Sequence, residues 1–196
     1  RSNGVPVRYG HGTPRTQLLT LKQTTSRNQL TVEDEIEEIT AYHEAGHAVM
    51  AAALGGRIIR VSIEPPEDDG LKRFGESIVS WPPSTDVAIY EVELKVSLAG
   101  PVAELIYRSE QMAIEAVPEF AADWQRVIES AAHLKATRRE QRQLISKAEF
   151  WVRDFFNRTR NWAAVGAVAD ELLAHYTLEN EQLEEAVAFW IDSHGQ

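Results

Sequence analysis

The run Tyr42-His43-Glu44-Ala45-Gly46-His47 sets two imidazoles four residues apart, with a carboxylate directly after the first. On a helix, positions i and i+4 share a face, so His43 and His47 can each offer a ring nitrogen to one zinc ion. Glu44 then lies about 100° further round, beside the metal, where a carboxylate can take a proton from a water molecule held there. The plain alternative is a pair of hydrogen-bonded helix histidines and one more acid on an acidic face. Gly46 speaks against it, because glycine inside a helix costs about 1 kcal/mol relative to alanine and calls for a reason, such as close approach of another backbone or a metal site.

A catalytic zinc needs a third protein ligand, with water in the fourth place. The chain contains no cysteine. Thiolate ligands and nucleophiles, disulfides and iron–sulfur clusters are therefore excluded, and the third ligand must be His, Asp or Glu. His11, His133, His175 and His194 are scattered, and none follows His47 closely. A distant carboxylate is the other source, and spacing does not rank Asp86, Glu104, Glu119 and Asp123.

The elements that must position these groups follow from local signals. Thr31 can cap a helix whose first turn is acidic (Glu33, Asp34, Glu35), and Ile36, Ile39, His43, Gly46, His47 and Met50 recur at helical steps until Gly55 and Gly56 end it. Ile59, Val61 and Ile63 alternate with Arg60, Ser62 and Glu64 as in a half-buried strand, and Glu76 to Trp81 reads as a second strand after an acidic turn. Either strand could pair with an extended peptide.

Ser84 to Tyr107 is a long apolar-periodic helix that Gly100-Pro101 should kink or restart. Pro118 suits the first turn of a helix running to about Leu134. Thr137 and Glu140 form a capping box ahead of Leu144, Ala148, Trp151, Val152, Phe155 and Phe156 on one face. Helices near 162–175 and 178–190 complete a mainly helical α+β fold with a small β-sheet. Trp151, Phe155, Phe156 and Trp162 read as helix-packing core.

Of 196 residues, 43% are hydrophobic and 26% charged, as in an ordinary folded domain. Twenty basic against thirty acidic residues give −10, which repels phosphate backbones and anionic bilayers, so nucleic acid is not an expected partner. No apolar run approaches the roughly 20 residues of a membrane span, and the expectation is a cytoplasmic protein without membrane insertion. Residues 1–30 carry Arg1, Arg8, Arg15, Lys22 and Arg27 and no acid, reading as a basic arm on a body, 31–196, of charge −15.

Four blocks together carry a family resemblance: Ala41-Tyr42-His43-Glu44-Ala45-Gly46-His47-Ala48-Val49, Arg60-Val61-Ser62-Ile63, Leu98-Ala99-Gly100-Pro101-Val102-Ala103-Glu104 and Ala122-Asp123-Trp124. In order and spacing they resemble the peptidase domain of the FtsH family of ATP-dependent zinc proteases, over about residues 36–186. The resemblance implies a zincin-like fold and makes Asp123 the third zinc ligand, with Glu104 a supporting group. It departs from the family in lacking any Gly-x-x-x-x-Gly-Lys-Ser/Thr loop, so no ATPase module is present in the sequence.

The expected function is ATP-independent hydrolysis of peptide bonds in flexible or unfolded polypeptides, with zinc held by His43, His47 and Asp123 and Glu44 as general base. Homo-oligomerisation and a separate ATPase partner are compatible with it. The competing function is a catalytically silent zinc-binding adaptor, which retention of Glu44 disfavours.

Overall fold

The computed structural model describes residues 31–64, 75–83 and 85–188. The basic arm expected over 1–30 lies outside them.

Helix α1 (Val32–Ala53) begins where expected: the Thr31 side chain accepts from the backbone N–H of Asp34, and the Asp34 carboxylate accepts from the N–H of Thr31. Its three first-turn acids face the positive end of the helix dipole. The chain leaves α1 through Gly55, at φ 84°, and enters strand β1 (Arg57–Ser62). Strand β2 (Glu76–Ser80) pairs antiparallel with one side of β1, and a strand from far along the chain, β3 (Thr177–Glu179), pairs antiparallel with the other. The sheet order is β2-β1-β3, which leaves β1 central, so among the described residues β2 and β3 are the edge strands.

Two details of the sheet depart from the sequence pattern. A bulge between Ile58 and Arg60 reverses the phase of the first half of β1, so that Ile58 is buried and Ile59 is 40% exposed. Leu178 and Glu179, expected to open the last helix, belong with Thr177 to β3, because Thr177 pairs with Ser62 and Leu178 buries against Val61. The final helix, α6, starts only at Asn180 and runs to Ala188.

Helix α2 (Asp86–Tyr107) continues through Gly100-Pro101 without a restart. A helix-interior proline costs about 3 kcal/mol in isolation. Here the turns on both sides are held by packing: Leu98, Ala99, Val102 and Ala103 of α2 are fully buried in one core with Ala45, Ala48 and Val49 of α1. These small side chains bring the two helices close. A Cβ on Gly46 would lie 2.6 Å from the Ala103 Cβ and 2.7 Å from the Ala99 carbonyl oxygen, which is the close backbone approach that a helix-interior glycine called for.

Single-turn 3₁₀ segments, Ile114–Ala116 and Pro118–Phe120, lead into α3 (Ala121–Leu134), so Pro118 starts a 3₁₀ turn ahead of the α-helix. Helix α4 (Arg138–Asn157) opens with the Thr137–Glu140 capping box and buries Ile145, Ala148, Val152 and Phe156. Trp151 lies at the edge of that face, 39% exposed, with the Lys95 ammonium 4.9 Å from its ring. Helix α5 (Thr159–His175) returns beside α1 and feeds β3. The result is a mainly helical α+β fold with a three-stranded antiparallel sheet. Among the described residues, no helix is long and apolar enough to cross a membrane.

Candidate metal centre

Three elements converge on one point. His43 and His47 project from α1, Asp123 comes from the first turn of α3, and α2 passes beneath them at Gly100. All three side chains are buried. The His43 Nε2 lies 3.2 Å from the His47 Nε2 and 3.1 Å from the Asp123 Oδ2, and the His47 Nε2 lies 3.5 Å from the Asp123 Oδ1. Bonds of about 2.0–2.1 Å at tetrahedral angles place neighbouring zinc ligands about 3.3 Å apart, close to the 3.2 Å between the two Nε2 atoms, and one candidate ligand atom from each of the three residues lies within 4.8 Å of the others.

The outer nitrogens decide the chemistry of the inner ones. The His43 Nδ1–H donates to the Glu104 Oε2 at 3.0 Å, and the His47 Nδ1–H donates to the Val96 carbonyl at 2.7 Å. A carboxylate and a carbonyl only accept, which fixes the proton of each ring on Nδ1 and leaves a lone pair on each Nε2. Two imidazole lone pairs and a carboxylate then face one another in a buried space. Such a set repels itself unless a cation lies between its members, and two imidazoles with one carboxylate suit a divalent ion of the zinc type.

Titration behaviour agrees with this. Burial disfavours charge on His43, but the Asp123 and Glu104 carboxylates outweigh it and push the imidazole up to about 9. Burial would raise the Asp123 carboxyl, yet His47 and His43 hold it well below the usual carboxylate range. In the metal-free protein a proton on His43 therefore supplies the missing positive charge, and a metal ion competes with it.

Residues around the triad fix its geometry. Glu104 is fully buried, and its second oxygen accepts from the Arg108 Nη1 at 3.1 Å. Phe120 packs against the His43 ring with centroids 5.7 Å apart. A Cβ on Gly100 would lie 2.7 Å from the His43 Nε2 and overlap the His47 ring, so a side chain there would occupy the space beside the two Nε2 atoms. The Glu44 Oε2 meets the sheet, where it accepts from the Ser77 hydroxyl at 2.7 Å.

The carboxylates left unranked by spacing now separate. Asp123 joins the histidines, and Glu104 supports one of them from behind. Glu119 is exposed on the 3₁₀ turn ahead of α3. Asp86 opens α2, about 21 Å of helix from Gly100. Sequence reasoning missed the Val96 carbonyl, Ser77 and the role of Gly100. A glycine beside a proline in an apolar helix was the only local signal for any of these.

No family model matches the chain, and no curated protein matches it. The triad itself is zincin-like, a His-Glu-x-x-His helix completed by a carboxylate from a later helix, and it is consistent with a metallopeptidase active site.

Proposed function

We propose that the chain is a zinc metallopeptidase that hydrolyses peptide bonds in flexible or unfolded polypeptides, with His43, His47 and Asp123 as the zinc ligands and Glu44 as general base. The observation that carries this reading is the convergence of two Nε2 lone pairs and a carboxylate, each ring fixed by an acceptor behind it. Placement of a carboxylate immediately beside this triad, on the same helix turn, adds the group that a silent metal site has no use for. The resemblance of four sequence blocks to the FtsH peptidase domain points the same way.

Zinc, when bound, polarises the scissile carbonyl and lowers the pKa of water toward about 7. The rest of the chemistry belongs to the chain. His43 and His47, locked by Glu104 and Val96, and Asp123, anchored in the first turn of α3, keep three donors at fixed separation. Glu44 accepts the proton of the attacking water and returns it to the leaving amine. The outer edge of β2, the strand that carries Ser77 beside Glu44, can align an extended peptide by main-chain hydrogen bonds. Without a phosphate-binding loop in the sequence, cleavage of peptides that are already unfolded needs no ATP.

The test is digestion of a peptide library by the zinc-loaded protein and by Glu44→Gln. Cleavage by the first, with full zinc but no cleavage in the second, supports the reading. Equal activity in both removes Glu44 from the mechanism, and no cleavage by either at full zinc occupancy supports the adaptor.

A further inference from the structure

We infer that Gly75 and Ser77, at the start of the edge strand β2, form a seat that orients the Glu44 carboxylate, with Ser77 as a positioning residue for the proton transfer. The inference rests on the peptidase reading above. Ser77 is not a loop hydroxyl that happens to be near. It pairs in register with Val61, a fully buried residue of the central strand, so the sheet fixes where its Oγ stands. From there the hydroxyl donates to the Glu44 Oε2 at 2.7 Å.

The other side of the carboxylate is bounded by Gly75, two residues earlier. A Cβ at that position would overlap the Oε1, Cδ and Cγ atoms of Glu44, so the carboxylate fits against β2 only because residue 75 has no side chain. Strand and helix thus hold Glu44 from two directions. Among the described residues Oε1 receives no hydrogen bond, whereas Oε2 is committed to Ser77. The seat therefore assigns the two oxygens different work: Oε2 fixes the rotation of the carboxylate and Oε1 takes the proton. A glutamate on an open helix face would have to lose its side-chain rotations in each turnover, whereas here that ordering is done on folding.

The experiment compares zinc-loaded full-length wild type with Ser77→Thr and Ser77→Val. These two substitutions have nearly the same shape, both suit a strand, and only threonine keeps the hydroxyl. Two readouts are taken, steady-state cleavage of a flexible peptide and affinity for acetohydroxamate, a metal-directed inhibitor whose hydroxyl proton is accepted by the neighbouring base. Ser77→Val should lower kcat by about tenfold, the size of one hydrogen bond to a charged group, with KM within about twofold and zinc stoichiometry unchanged. Hydroxamate affinity should fall in parallel. Ser77→Thr should stay within about threefold of wild type in both.

Equal kcat and equal hydroxamate affinity in the two variants would overturn the inference, and so would a common loss that threonine does not rescue. Absence of cleavage in all three proteins, with hydroxamate affinity still weakened by valine and restored by threonine, would sustain the seat while refuting the peptidase reading.

Discussion

Glutamine at position 104 would preserve the shape of the side chain and remove one acceptor. Glu104 is fully buried, and each of its oxygens accepts from a donor, Oε2 from the His43 Nδ1–H at 3.0 Å and Oε1 from the Arg108 Nη1 at 3.1 Å. Glutamine offers one oxygen and one NH₂. With the oxygen turned to His43, Arg108 faces a donor. With it turned to Arg108, the His43 Nδ1–H faces a donor, and the ring escapes by moving its proton to Nε2, the atom that should bind metal. Either arrangement also removes the negative charge that raises the electron density of the imidazole. Loss of such a partner behind a metal-binding histidine costs about 10- to 100-fold in metal affinity, roughly 1.4–2.7 kcal/mol. The expected result for Glu104→Gln is thus a zinc dissociation constant raised by that factor in competition with a chromophoric chelator, with one zinc still bound at saturation and helical content retained. A dissociation constant within twofold of wild type would refute the reasoning. A loss larger than that of Asp123→Asn would make Glu104 the ligand.

The metal-free protein should show a pH signature. Its His43 imidazole is raised to about 9 against an unfolded value near 6.5, so the stability this proton confers is complete below about pH 6.5 and is lost as pH rises through about 9. Urea unfolding of apoprotein across that window should show the decline, and saturating zinc should abolish it. A flat apoprotein profile would contradict the charge arrangement. Gly46→Ala should destabilise the fold in urea by up to about 2 kcal/mol, since overpacking of about 1–3 kcal/mol against Ala103 and Ala99 is offset by roughly 1 kcal/mol that alanine gains in a helix. A stabilised variant would mean that α1 and α2 do not approach so closely.

What was legible in the sequence was local. The Thr31 cap, the four-residue step from His43 to His47 and the Thr137–Glu140 box are settled within one or two helical turns, and α1 and α4 follow them closely. The third member of the triad was not legible from spacing, because Asp123 meets His47 from 76 positions further along the chain, and only the family resemblance singled it out. Tertiary contact overrode local reading elsewhere. Gly100-Pro101 reads as a kink or restart, yet α2 continues through it and passes under the two histidines there. One bulged residue reversed the inward face of β1 at Ile58 and Ile59. Three residues of β3 owe their strand to a partner 115 positions away, the Thr177 hydroxyl at Ser62. Ser77 carries no sequence signal at all, since its bond to Glu44 exists only once helix and sheet are stacked.

Zinc titration of chelator-stripped protein bears on the central claim most directly, run on wild type, Asp123→Asn and Glu119→Gln in parallel. Wild type and Glu119→Gln should each take up one equivalent with the same affinity, because Glu119 is exposed away from the triad. Asp123→Asn exchanges an anionic oxygen for a weak neutral one and should lose more than the roughly 100-fold that removal of a supporting partner costs, while its helical content survives. Full occupancy and unchanged affinity in Asp123→Asn, or failure of the wild type to bind one equivalent, would contradict the assignment of His43, His47 and Asp123 as the metal centre.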